Sequence, residues 1–173
     1  RQEDGSWPMI RQAQQQASEL PDTAVTVNLD LGEKDDLHPT GKREVARRLY
    51  LAALRIAYGE KVPCTGPVPV EAVSDGSSTL RITFAFDVED AEKILTTTDG
   101  KAPGEFELAG ADGVYSPAEA EICRNTVLLK GENTGTAVSV RYAWRNAPDR
   151  GLLCSASGLL TSPFELSVKD ILL

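Results

Sequence analysis

The sequence predicts an α+β chain in which a helix, a strand and a second helix lead into a β-sandwich. Three observations carry that prediction. Apolar residues recur every three or four positions in two stretches before residue 60, as they do on one face of a helix. Just past Lys61 the helix breakers Pro63, Gly66, Pro67 and Pro69 arrive together. From there every apolar run is short, and two of the runs alternate at period two, the spacing of a half-buried strand. A boundary near residue 62 follows, giving an α/β segment at 1–62 and a β-sandwich-like domain at 63–173.

Taken in order, Ser6 can cap a helix that runs through Pro8, with Ile10, Ala13, Ala17 and Leu20 on one face, until Pro21 ends it. Residues 24–29 read as a short strand, because Val25, Thr26 and Val27 are β-branched and the run ends at Asp30 and Gly32. A charged loop follows. The second helix starts from Pro39. It buries Val45, Leu49, Ala52, Ala53 and Ile56, turns Lys42, Arg43, Glu44, Arg47 and Arg48 to water, and stops at Gly59. Beyond the boundary, residues 80–86 and 138–144 alternate most clearly. Shorter strands are expected at 68–73, 105–109, 126–129 and 164–168, separated by turns such as Ser74-Asp75-Gly76-Ser77 and Thr98-Asp99-Gly100. Tyr142 and Trp144, two apart on one strand, are expected to share a core-facing side.

Composition excludes some roles. With 18 basic and 26 acidic residues the net charge is -8, which repels phosphate backbones, so nucleic acid is not an expected partner. No run of eighteen apolar residues is present to span a membrane, and Arg1 to Ser6 are too polar to begin an export signal. The chain is expected to begin within a longer protein. Cys64, Cys123 and Cys154 are too scattered for a zinc site. They read as free thiols packed as small hydrophobes, or as one disulfide with one thiol left over, and spacing does not choose a pair.

The segment Asp30-Leu31-Gly32-Glu33-Lys34-Asp35-Asp36-Leu37-His38-Pro39 holds the single histidine of the chain. It follows a strand and precedes a helix, and such loops open onto the ligand crevice of α/β sheets. An imidazole there can take a proton from a hydroxyl if a carboxylate fixes its tautomer, and Asp35 stands three residues before His38. A histidine among acidic residues also has a plainer reading, an exposed loop side chain without a role.

The phrase DLGEKDDLHPTGKREVARRLYLAALRIAYG resembles the last block of the SGNH-type domain of the sialate O-acetylesterase family, where Asp-x-x-His-Pro precedes a basic amphipathic helix. WPMIRQAQ upstream, and VRYAWRNAPDRG and GLLTSPF downstream, resemble other phrases of the same family. The chain departs from the family at Gly151-Leu152-Leu153-Cys154 and Gly158-Leu159-Leu160-Thr161.

The resemblance implies that His38 is the general base and Asp35 its orienting carboxylate in a Ser-His-Asp arrangement. It gives no role to Asp30, Glu33 or Asp36. The implied reaction removes O-acetyl groups from sialic acid or a related sugar through an acyl-serine, with no cofactor and no metal. The serine and the oxyanion-hole donors would come from an upstream segment or a partner chain, since Ser6 does not match the nucleophile motif. A secreted, periplasmic or lysosomal location is implied in the same way. The alternative is a noncatalytic carbohydrate-binding or scaffolding module.

Overall fold

Four rings, Phe84, Phe106, Tyr142 and Phe164, meet at the centre of the molecule with centroids 4.9 to 6.5 Å apart. Their arrangement follows from strand alternation. In the computed structural model, which describes residues 6–33, 36, 38, 40–76 and 78–170, strands β1 (Val68–Ser74) and β2 (Leu80–Ala85) pair with Gly76 between them at φ 73. β2 buries Leu80, Ile82 and Phe84, every second residue. The other strands are β3 (Leu95–Thr97), β4 (Phe106–Ala109), β5 (Tyr115–Pro117), β6 (Glu119–Cys123), β7 (Thr126–Lys130), β8 (Ser139–Tyr142), β9 (Leu153–Ser155) and β10 (Phe164–Asp170).

Eight of them form one sheet in the order β5-β4-β8-β10-β1-β2-β7-β6, and β3 pairs with β9 in a separate ribbon. All neighbours run antiparallel except β1 and β10, which are parallel. The register of β1 on β2 slips between Pro69 and Glu71, where proline has no N–H to give the ladder. One core draws on both halves of the sheet, with Ile82 and Leu129 from one and Leu108 and Val140 from the other, and the ribbon adds Leu95 and Leu153. The edge strand β6 points Glu119, Glu121 and Cys123 to water, and charge on an edge discourages pairing with another chain.

The six strands expected beyond residue 62 are present within a residue or two. β8 stops at Tyr142 because Ala143 takes φ 51, and this breaks the alternation. Tyr142 is therefore fully buried, with its hydroxyl accepting the Leu153 N–H at 2.7 Å, while Trp144 is only half-buried. The cysteines are free: Cys154 buried, Cys64 half-buried and Cys123 exposed.

The helical part departs further from expectation. Helix α1 spans Ser6–Gln16 and tightens to a 3-10 turn at Ala17–Glu19. Ser6 opens the helix, and the capping expected of its side chain lies outside the described residues. The face of α1 turned inward carries Pro8, Arg11 and Gln15, while Ile10 and Leu20 are exposed. Arg11 explains this: its guanidinium donates to the carbonyls of Arg145 and Asn146 at 2.9 and 2.8 Å, docking the helix on the turn after β8. Residues 24–29 join no ladder among the described residues, so the predicted strand is not formed there. Val27 and Leu29 instead pack on Leu152, Cys154 and Leu160.

Helix α2 spans Lys42–Tyr58 and ends as expected at Gly59, in the left-handed region at φ 69. Its inward stripe is Arg48, Ala52 and Arg55, at i, i+4 and i+7, not the Leu49 and Ala53 expected from hydrophobicity. Arg55 donates to the Val62 carbonyl at 2.9 Å and to Asp87 at 3.0 Å. Asp87 also accepts the Cys64, Thr65 and Glu89 backbone N–H groups, so one carboxylate ties α2, the connection after it and the end of β2 together.

Burial alone would raise the Asp87 pKa, but those three N–H groups and the Arg55 charge outweigh it and hold the carboxyl down at about 2, from an ordinary 3.8. A depressed carboxyl contributes stability that is fully present above the unfolded pKa and is lost as pH falls through the folded one. Between pH 4 and pH 2 the chain should therefore lose on the order of 1–2 kcal/mol more stability than its Asp87→Asn variant does. Urea melts across that window measure the difference, and parallel pH profiles would refute the tie.

Candidate active site

The loop that carries His38 is held at both ends by carboxylates. At its start Asp30 receives a two-pronged ion pair from Arg48, with both N···O distances 2.7 Å. The same guanidinium donates to the Val27 carbonyl at 2.6 Å and to Glu44 at 3.3 Å. Only 3% of the Arg48 side chain is exposed, against 21% for Asp30. Burial would lower the Arg48 pKa, but hydrogen bonds and charge from Asp30, then Glu44, more than offset it, and the net shift is upward. Arg47, one residue before, grips Glu44 through its Nε and Nη2, and this chiefly is what lowers the Glu44 pKa.

At the loop's far end the Glu33 carboxylate accepts the Thr40 N–H at 3.2 Å and the Thr40 hydroxyl at 3.0 Å. The Asp36 N–H closes a turn onto the Glu33 carbonyl at 3.3 Å. Gly41 then leads into α2 with its Cα so near Leu31 that an added Cβ would lie 3.2 Å from that side chain. Glu33 is thus tied both to Asp36 and to Thr40, between an anchored segment and an anchored helix.

His38 sits exposed on this turn, its backbone N–H donating to the Asp36 carboxylate at 2.7 Å. Of the acidic residues in the loop, Asp36 therefore has the definite task of shaping the backbone at the histidine, a role the sequence did not assign it. Asp35, the expected orienting carboxylate, lies outside the described residues, as do Lys34, Leu37 and Pro39. Asp30 and Arg48 are the site residues that sequence reasoning missed. Arg48 was expected in water, and its signal was the 48, 52, 55 spacing, which hydrophobicity cannot see when two members are arginines.

Below the clamp lies Cys154, whose thiol is pushed up to about 11 by burial, with the Asp30 charge adding to the shift. It stays protonated at neutral pH and is no nucleophile. A cleft of about 640 Å³ runs between α1, residues 23–27 and the start of β1, with Arg48 in its wall; His38 does not line it. Among the described residues no three His, Cys, Asp or Glu side chains gather as a metal site, and no helix is long and apolar enough to cross a membrane.

No family model matches the chain. Over 159 residues it is 31% identical to the sialate O-acetylesterase of Mus musculus, covering 83% of this chain and 28% of that protein. The chain is a relative of the sialate O-acetylesterases. The Homo sapiens sialate O-acetylesterase is 29% identical over 167 residues, covering 87% of this chain and 30% of its own length. Among solved structures, a carbohydrate acetylesterase from Xanthomonas citri superposes with a TM-score of 0.82 at 36% identity, over 92% of this chain and 36% of that one. The chain thus spans under a third of the length of these two sialate O-acetylesterases.

Removing Asp30 would leave the buried Arg48 charge without its main partner. Asp30→Ala should cost about 3 kcal/mol in urea denaturation of the chain, the lower end for a broken buried pair because Glu44 and the Val27 carbonyl remain. A loss below about 0.5 kcal/mol, the level of a surface pair, would contradict the clamp.

Proposed function

We propose that these residues form the His-Asp part of a carbohydrate acetylesterase that removes O-acetyl groups from sialic acid or a related sugar. The observation that carries this reading is a histidine on a loop fixed at both ends, in a chain similar over most of its length to sialate O-acetylesterases. In this reading 1–62 closes an SGNH-type α/β domain, and 63–173 is a β-sandwich accessory domain. The serine and the oxyanion donors belong to a segment or chain outside these 173 residues. The protein works outside the cytoplasm, in a secreted, periplasmic or lysosomal setting, without a cofactor.

His38 takes the proton as the serine hydroxyl attacks the acetyl carbonyl, and Asp35 holds the imidazole in the right tautomer and stabilises its charged form. The proton passes to the departing sugar oxygen. His38 then draws a proton from the water that attacks the acetyl-serine and hands it to the serine oxygen as the acyl–oxygen bond breaks and acetate leaves. Asp36 fixes the backbone at His38, and Arg48 fixes the segment from which the loop departs. Both act on position and not on the reacting atoms.

The test uses the complete protein containing the serine-bearing part. His38→Ala should lower kcat by roughly 10⁴ or more, and Asp35→Asn should fall severely too through the wrong tautomer, with acetyl esters of sugars preferred over octanoyl esters. The 173-residue chain alone should not turn over an acetyl ester. A near-normal His38→Ala rate would reject the assignment, and a clear octanoyl preference would reject the substrate class.

A further inference from the structure

Away from the His38 loop, the end of β2, the approach to β3 and the β6–β7 turn line an open cleft of about 710 Å³, within the roughly 300–1,000 Å³ of small-molecule sites. Its walls include Phe86, Glu92, Lys93, Ile94, Arg124 and Asn125. Five non-glycine residues among those described have positive φ, and two of them, Lys93 at φ 50 and Arg124 at φ 57, line this cleft. Both conformations are uncommon for such side chains. Arg124 is the first residue of a two-residue hairpin turn, where glycine would relieve the strain.

The turn is also pinned. The Leu95 N–H donates to the Arg124 carbonyl and the Phe84 N–H to the Asn125 carbonyl, each at 2.9 Å. Neither Lys93 nor Arg124 forms an ion pair with a described residue, although the chain carries a net charge of -8. Two exposed cations without an ion pair among the described residues, both on left-handed backbone at one cleft, are a place for an anion.

We propose that this cleft binds an acidic sugar. Phe86 and Ile94, the latter 45% exposed, offer an apolar edge to the C–H face of a ring. Lys93 and Arg124 meet its carboxylate, and the Asn125 amide and Glu92 carboxylate meet hydroxyls. Glu92 also selects against a doubly charged phosphate, which it repels. The site belongs to the strand-rich part of the chain and is independent of whether His38 acts in ester hydrolysis.

The isotope-labelled 173-residue chain, titrated with N-acetylneuraminic acid and followed by amide chemical shifts, should respond at Phe86, Ile94, Leu95 and Asn125. Neutral N-acetylgalactosamine and inorganic phosphate should each bind at least about tenfold more weakly, the loss expected for one charge-assisted contact. Arg124→Gly should raise the melting temperature by relieving the left-handed strain while weakening acidic-sugar binding roughly tenfold. Lys93→Ala should weaken it by a similar factor in a chain whose spectrum is otherwise unchanged. No response at these amides, equal binding of the neutral sugar or of phosphate, or undiminished affinity in both variants would overturn the proposal.

Discussion

The part of this chain that bears on chemistry depends on one buried guanidinium. Arg48 has 3% of its side chain exposed, and a cation so placed is tolerable only if its hydrogen bonds are met. Asp30, the Val27 carbonyl and Glu44 meet them, and in doing so they fix where an otherwise unpaired segment lies against helix α2. Residues 27–30 have no ladder of their own among the described residues. The arginine and the apolar contacts of Val27 and Leu29 take the place of one.

Two turns along the same helix, Arg55 repeats the device with Asp87. Helix α2 therefore works as a spine with two ionic attachments on one face, one to the segment that launches the His38 loop and one to the end of β2. The geometry of the loop is thereby referred to the strand-rich core, and the packed rings of Phe106, Tyr142 and Phe164 make that core stiff. For the proposed acyl transfer this matters because a base misplaced by an ångström loses much of its advantage.

What was legible in the sequence followed period and punctuation. β2, with Leu80, Ile82 and Phe84 alternating inward, was readable because one face is buried and the other wet. The end of α2 was readable because Gly59 permits the left-handed turn. The strands missed, β3, β5 and β9, are three residues long and too short to show a period. β6 was missed because an edge strand reading Glu-Ala-Glu-Ile-Cys has weak apolar alternation. The inward faces of α1 and α2 were read only in part, with Ala52 buried as expected, for one reason: half-buried Arg11 and Arg55 and buried Arg48 turn inward to reach carbonyls and carboxylates distant in sequence, and no local pattern announces such partners. At the site, His38 was found through its neighbours and a family resemblance. Asp36, Asp30 and Arg48 became visible only as hydrogen bonds.

The most direct measurement is amide hydrogen exchange on the chain with Arg48→Met, a change that keeps bulk and removes the charge. Four amides report the loop: Leu31, Asp36, His38 and Thr40, each donating within residues 28–40. If Arg48 holds the loop, these four lose protection while the amides of β2, β7 and β8 keep theirs. Unchanged protection at all four would contradict the account, and so would a uniform loss across the sheet.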